Sequence, residues 1–214
     1  MRQDSTAQED IWLARIKRLL ALSETGQHFT KDPFDRERYD EIAEIARAML
    51  ADLGGVPVSQ IQGLFHDHQG GYATPSLDIR GAVFRDGRIL LVRERSDGLW
   101  AMPGGFADIG SSPAENIERE VLEEAGLNVR AERLFAVRHK ARHPYPQDPK
   151  DFYKLFFLCR QIDNADPTIG LETSGAGFFP SDDLPELSPS RIILQDILEA
   201  FKAHYADQDY TVFD

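Results

Sequence analysis

Three glutamates, Glu120, Glu123 and Glu124, crowd the segment Arg119-Glu120-Val121-Leu122-Glu123-Glu124-Ala125-Gly126-Leu127. On a helix they fall within an arc of about 100°, so three carboxylates point the same way. They also occupy the last turns before Gly126, a natural C′ residue, where the helix dipole is negative and each added anion costs about 0.3–1 kcal/mol. Like charges at i,i+3 and i,i+4 cost roughly 0.2–0.5 kcal/mol per pair more, and Arg119 is the local source of relief. A local rule broken this plainly calls for a functional compensation. The chemistry that compensates is a hard divalent cation, since Mg²⁺ takes one or two carboxylates along with waters and substrate phosphates. A solvated acidic face is the alternative for such a run. The adjacent Pro103-Gly104-Gly105 turn favours the cation.

The elements that must hold this stripe are legible nearby. Ser112, Pro113 and Glu115 read as N-cap, N1 and N3 of a capping box that opens the acidic helix. Ala114, Ile117, Val121 and Ala125 form the apolar face away from the glutamates; Glu118 lies near that face and has no account at this level. Strands are predicted at 77–84 and 88–93, joined by the hairpin dipeptide Asp86-Gly87, and further strands at 99–102, 134–138, 153–160 and 177–179. A last helix spans 190–205. Strands with helices on both sides give an α/β sandwich.

Before about residue 70 the pattern differs. Ile11, Trp12, Ile16, Leu19 and Leu20, then Tyr39, Ile42, Ala43, Ala46, Met49, Leu50 and Leu53, repeat at helical spacing, with a connection over 25–33 and a stop at Gly54-Gly55. The expectation is a helical hairpin domain with its linker over 1–70, followed by a larger domain over 71–214. So small a hairpin must bury its apolar faces against the second domain or another copy, which makes a homodimer plausible. Trp12 and Tyr39 read as core, with a ligand platform as the alternative. His66-Asp67-His68 reads as an exposed linker rather than a metal site.

The chain of 214 residues is 42% hydrophobic and carries a net charge of −12. That charge argues against a nucleic-acid surface, which needs clustered Lys and Arg. Cys159 is the one cysteine and sits in an apolar run, as a buried thiol would. The first ten residues are polar, and the apolar stretch after them contains Arg15, Lys17 and Arg18. Neither a signal peptide nor a membrane span is expected, and the expected location is cytoplasmic.

The run from Gly105 to Leu127 resembles the Nudix box, G-x5-E-x7-R-E-U-x-E-E-x-G-U, where U is a bulky aliphatic. Gly105, Arg119, Glu120, Val121, Glu123, Glu124, Gly126 and Leu127 match it in identity and spacing, whereas Ser111 stands at the position of the first glutamate. The resemblance implies the Nudix α/β/α sandwich, here behind an N-terminal helical hairpin domain, and cleavage of a nucleoside diphosphate linked to another group. It also implies Mg²⁺ or Mn²⁺, held by Glu120 and Glu124 with the Gly105 carbonyl as a third ligand. Glu123 either binds a second metal or pairs with Arg119. Ser111 could signify a catalytically weak nucleotide sensor. However, the run 105–115, the helical domain in front, Glu172-Thr173 and Phe178-Phe179 are similar to a bacterial Nudix group that includes CDP-choline pyrophosphatases, and that group also lacks the first glutamate. An active enzyme is therefore expected, with CDP-choline and then ADP-ribose as substrates to try.

Other roles stay open at this level. Glu172, in a glycine-bearing loop, is the candidate base, with Glu123 as its rival and a plain surface acid as the bland alternative. His143 could meet a phosphate or stabilise a turn. Arg80 could grip a phosphate or pair with a nearby acid. Phe106, Trp100 and Tyr153 could stack a base or belong to the core, and Asp108 could contact the leaving group. The tail 210–214 could cover a partner's site.

Overall fold

A computed structural model describes residues 11–65, 72–206 and 208–214. Its contacts divide the chain into two compact units. One comprises Ser76–Pro146 with Phe152–Asp214, and the other is the helical stretch up to Pro75 with Gln147–Asp151. His66-Asp67-His68 lies outside the described residues.

Among the described residues the helical unit has three helices rather than the expected two: α1 (Ile11–Phe29), α2 (Pro33–Gly54) and α3 (Val58–Phe65). The third is too short for its apolar repeat to be distinctive in sequence. The first runs through Gly26, which reads as a breaker but serves packing, since a Cβ there would lie 2.4 Å from the Tyr39 ring. Tertiary contact overrides propensity here. Asp32 caps α2 by accepting from the Phe34 and Asp35 amides. Leu13, Ile16, Leu20, Ala43, Ala46, Leu50, Ala51 and Ile61 form the core of this unit. Trp12 does not join it, being 54% exposed. Helical periodicity identifies an apolar face without saying what covers it.

The larger unit is a mixed sheet of seven strands: β1 (Ser76–Arg85), β2 (Arg88–Glu94), β3 (Trp100–Ala101), β4 (Val129–His139), β5 (Phe152–Gln161), β6 (Thr173–Phe179) and β7 (Val212–Phe213). The order is β3-β2-β1-β5-β4-β7, with β6 on β2. Strand β1 runs parallel to β5, and β4 parallel to β7; the other pairs are antiparallel. Asp86 and Gly87 both take positive φ, 50° and 72°, the backbone of a type I′ turn, so the hairpin forms where expected.

One helix covers each face, which is the α/β/α sandwich of the sequence expectation. Helix α4 (Pro113–Ala125) lays Ile117, Val121 and Ala125 against Ile79, Val83, Leu90 and Val92. Helix α5 (Leu194–Tyr205) lays Ile197, Ala200 and Phe201 against Ala82, Phe135 and Phe156 on the other side. The tail, one reading of which is a cover over a partner's site, adds β7 to the sheet of its own chain, Ala136 pairing with Val212. Buried Cys159 has its thiol pushed up to about 12 by burial.

The seat of α4 is tight: a Cβ at Gly81 would stand 3.0 Å from Ile117 Cγ1. Ile117→Ala is expected to cost about 2–5 kcal/mol in urea denaturation, and a loss under about 1 kcal/mol would show that α4 is held by something else.

Candidate active site

The helix that carries the glutamates is anchored at both ends as its sequence specifies. The Ser112 hydroxyl accepts from the Glu115 amide, the Glu115 carboxylate accepts from the Ser112 amide, and at the far end the Gly126 amide donates to Leu122 O. Glu118, unexplained in sequence, accepts from the Ala131 amide at 2.9 Å and so ties α4 to β4.

The glycine turn lies directly on β1. Ile79 N donates to Gly105 O at 2.8 Å, Gly81 N to Pro103 O at 2.9 Å, and Ala107 N to Leu77 O at 3.0 Å. Gly104 has φ 141°, and a Cβ there would fall 2.0 Å from Ile79 O, so no other residue permits this approach. The approach aims the Gly104 amide at Glu124, whose Oε2 accepts at 2.9 Å. Glu120 faces the next residue, its Oε2 lying 3.2 Å from where a Gly105 Cβ would be. Behind α4, the Thr173 hydroxyl donates to Glu124 O and accepts from the Gly170 amide, fastening the loop of Glu172 to the same helix.

Burial is uneven along the stripe. Glu124 is 6% exposed, whereas the Glu123 side chain is 62% exposed and lies 4.0 Å from Arg119 Nε. Burial pushes Glu124 up to about 8; the Gly104 amide and Arg80 oppose the shift, and Glu94 and Glu120 add to it. Glu120 is also pushed up, by burial, with Arg119 opposing and Glu123 adding. Glu94, at the end of β2, is raised by burial too, despite an ion pair of 3.2 Å with Arg191 Nε.

A carboxyl pushed up by burial, as Glu124 is, fits a cation. Among the described residues no three His, Cys, Asp or Glu side chains already stand close enough to hold a metal by themselves. An ion such as Mg²⁺ completes its shell with water and phosphate oxygens. Glu124 and Glu120 are the acids of the stripe that lie against the glycine turn. The Gly105 carbonyl, engaged once by Ile79 N–H, retains a second lone pair.

The remaining sequence candidates separate. Arg80 takes the acid-pair option: Nε and Nη2 donate to Asp78 at 2.8 and 3.2 Å, and Nη1 to Met102 O at 3.3 Å. His143 has both ring nitrogens engaged, Nδ1 with Arg138 and Nε2 with Asp214 Oδ1 at 2.7 Å, which leaves none for a phosphate in this arrangement. Asp108 meets Arg119. Phe106, 59% exposed, stacks on Phe152 with centroids 5.5 Å apart, and Lys140 Nζ lies 5.0 Å over the Phe152 ring. Tyr153 is exposed and meets His139 edge-on. Trp100 packs edge-on to Phe179 beside the core. Glu172 is exposed, with its carbonyl held by the Arg95 amide. Sequence reasoning missed Glu94, which is coupled to both Glu124 and Glu172. The available signal was its period-2 spacing from Leu90 and Val92, which face α4.

A sandwich that docks an acidic helix under a glycine turn is the frame of a small hydrolase. The chain belongs to the Nudix hydrolases: residues 76–201 match the NUDIX domain, and residues 10–65 match a UDP-X-like, N-terminal oligomerisation domain. It is 46% identical over 180 residues to YjhB of Bacillus subtilis, whose name provisionally assigns it ADP-ribose pyrophosphatase activity; the match covers 84% of this chain and 86% of that one. A solved UDP-X diphosphatase is 32% identical, with a TM-score of 0.61 over 95% of this chain and 98% of that one. An ADP-ribose pyrophosphatase of Streptococcus suis is 38% identical, with a TM-score of 0.59 over 66% of this chain and all (100%) of that one. Nudix hydrolases generally use divalent metal ions. No helix among the described residues is long and apolar enough to cross a membrane.

The Glu124 shift has a sign that stability can read. Its folded pKa of about 8 lies above the ordinary 4.5, so the folded chain holds a proton that the unfolded chain releases. The contribution is full below the unfolded value and is lost as pH rises through about 8. In chelator, thermal melts are expected to show wild type losing stability between about pH 5 and 8 relative to Glu124→Gln. Parallel melting curves for the two proteins would contradict the shift.

Proposed function

We propose that the protein hydrolyses the diphosphate of a nucleoside diphosphate linked to X, with Mg²⁺ or Mn²⁺, giving a nucleoside monophosphate and phospho-X. The observation that carries this is Glu124, a buried carboxylate raised to about 8 beside the glycine turn, with Glu120 next to it. The ion, when bound, neutralises phosphate charge and acidifies a coordinated water. Glu120 and Glu124 hold it, the Gly105 carbonyl has a lone pair free to join them, and Glu123, turned toward Arg119, is available to a second ion. Glu172, on its fastened loop, is the candidate to take the proton of the attacking water, with Glu123 as the alternative. Phe106 offers an exposed ring face for the nucleobase, with Tyr153 as a second exposed aromatic.

ADP-ribose and UDP-X compounds head the substrates to test, supported by what the relatives are named for. CDP-choline rests on the sequence resemblance alone. The helical unit supports a homodimer: Trp12, Leu22, Phe34 and Ile45 leave apolar surface exposed within a segment that matches an oligomerisation domain.

A panel of ADP-ribose, UDP-glucose, CDP-choline, NADH and nucleoside triphosphates with Mg²⁺ or Mn²⁺ tests the reading through phosphomonoester release above a metal-free control. On the best substrate, Glu124→Gln is expected to lower kcat by about a hundredfold or more, the scale of removing one electrostatic element of a site. Unchanged turnover would defeat the assignment. For the base, kcat at saturating metal is expected to fall about a hundredfold or more in Glu172→Gln; a fall of that size in Glu123→Gln instead assigns the role to Glu123.

A further inference from the structure

The loop 106–112 contains a single acidic residue, Asp108, while Ser111 stands where the Nudix signature has a glutamate. Asp108 is exposed, and its Oδ2 meets Arg119 Nη1 at 2.5 Å. Beneath it, Asn116 is buried on α4 and uses its whole amide. Nδ2 donates to the carbonyls of Asp108, Ser111 and Ser112 at 3.4, 3.2 and 3.1 Å. Oδ1 accepts from the Asp108 amide at 3.0 Å and from Arg119 Nη2 at 2.9 Å. The same Nη2 lies 3.4 Å from Glu120 Oε1, and Arg119 Nε lies 4.0 Å from Glu123 Oε1.

We propose that Asp108 and Asn116 are positioning residues that fix the Arg119 guanidinium, and through it Glu120 and Glu123, supplying from elsewhere in the loop the charge that Ser111 lacks. The physical need is plain. An arginine side chain loses rotamer freedom when ordered, so it stays in place only where partners hold it. Left without Asp108, this guanidinium is free to turn to its i+4 partner Glu123, and Glu120 loses its neighbour. With Nη1 on Asp108 and Nη2 on Asn116, it stays between the two acids and leaves both of them directed at the site.

The inference rests on Glu120 as a cation-holding carboxylate, so the test separates the two. Asp108→Asn keeps the shape and removes the charge, and the exposure of Asp108 makes misfolding no concern. In metal-free protein, the Arg119 Nε–H resonance is expected to be protected in wild type and to broaden into exchange in Asp108→Asn. With manganese, electron paramagnetic resonance is expected to show affinity falling roughly tenfold, kcat following it and KM unchanged. Ser111→Glu added to Asp108→Asn is expected to restore part of both, by returning a carboxylate ahead of the same arginine. An unaltered Arg119 resonance, or a change confined to KM, would overturn the proposal, the latter making Asp108 a substrate contact. If wild type takes up no manganese, the cation reading fails, and the Arg119 resonance still decides the positioning role.

Discussion

The approach of Gly104 to β1 sets the terms for the rest of the site. With a Cβ the turn would clash with Ile79 O, so the backbone lies closer to the sheet than any side chain allows, and that closeness delivers an amide to Glu124 Oε2 at 2.9 Å. Helix α4, which carries that carboxylate, packs against β1 and β2 through Ile117 and Val121. The capping box, the Gly126 cap, the Glu118 tie to β4 and the Thr173 clasp all restrict where α4 can end. Their common result is a carboxylate buried at a fixed place.

Burial alone does not mark that place as special. Asp78 is as buried as Glu124, yet its pKa goes down: the burial penalty is outweighed by Arg80 and by Lys154, whose Nζ lies 2.9 Å away. Lys154 itself is pushed down to about 8 by burial, with Asp78 opposing. That network closes on itself. Around Glu124 the balance runs the other way, because burial outweighs the relief from the Gly104 amide and Arg80, and Glu94 and Glu120 add to the rise. One buried acid is balanced by the cations of its own fold and the other is not. That contrast is the physical content of the site.

Sequence disclosed what is local. The Asp86-Gly87 turn, the Ser112–Glu115 capping box, the Gly126 cap and the face of α4 each depend on a few consecutive residues, and each forms as expected. Contacts set by the fold were out of reach. The pairing of β7 with β4 and the tail's hold on His143 join residues about 70 positions apart. Arg80 and Trp12 carried the right chemistry for two roles, and only packing chose between them. The Asp108–Asn116–Arg119 cluster was hidden for a different reason: its members lie close in sequence, but the loop that folds Asp108 back onto α4 has no periodicity to betray it.

The most direct measurement is calorimetric titration of Mn²⁺ at about pH 7, in two buffers of different ionisation enthalpy, with a non-hydrolysable nucleoside diphosphate analogue present. A carboxylate with a folded pKa of about 8 still carries its proton there and must release it to bind a cation. The account predicts saturable binding with close to one proton released, and the loss of that proton in Glu124→Gln. Absence of binding, or binding with no proton release, would contradict it.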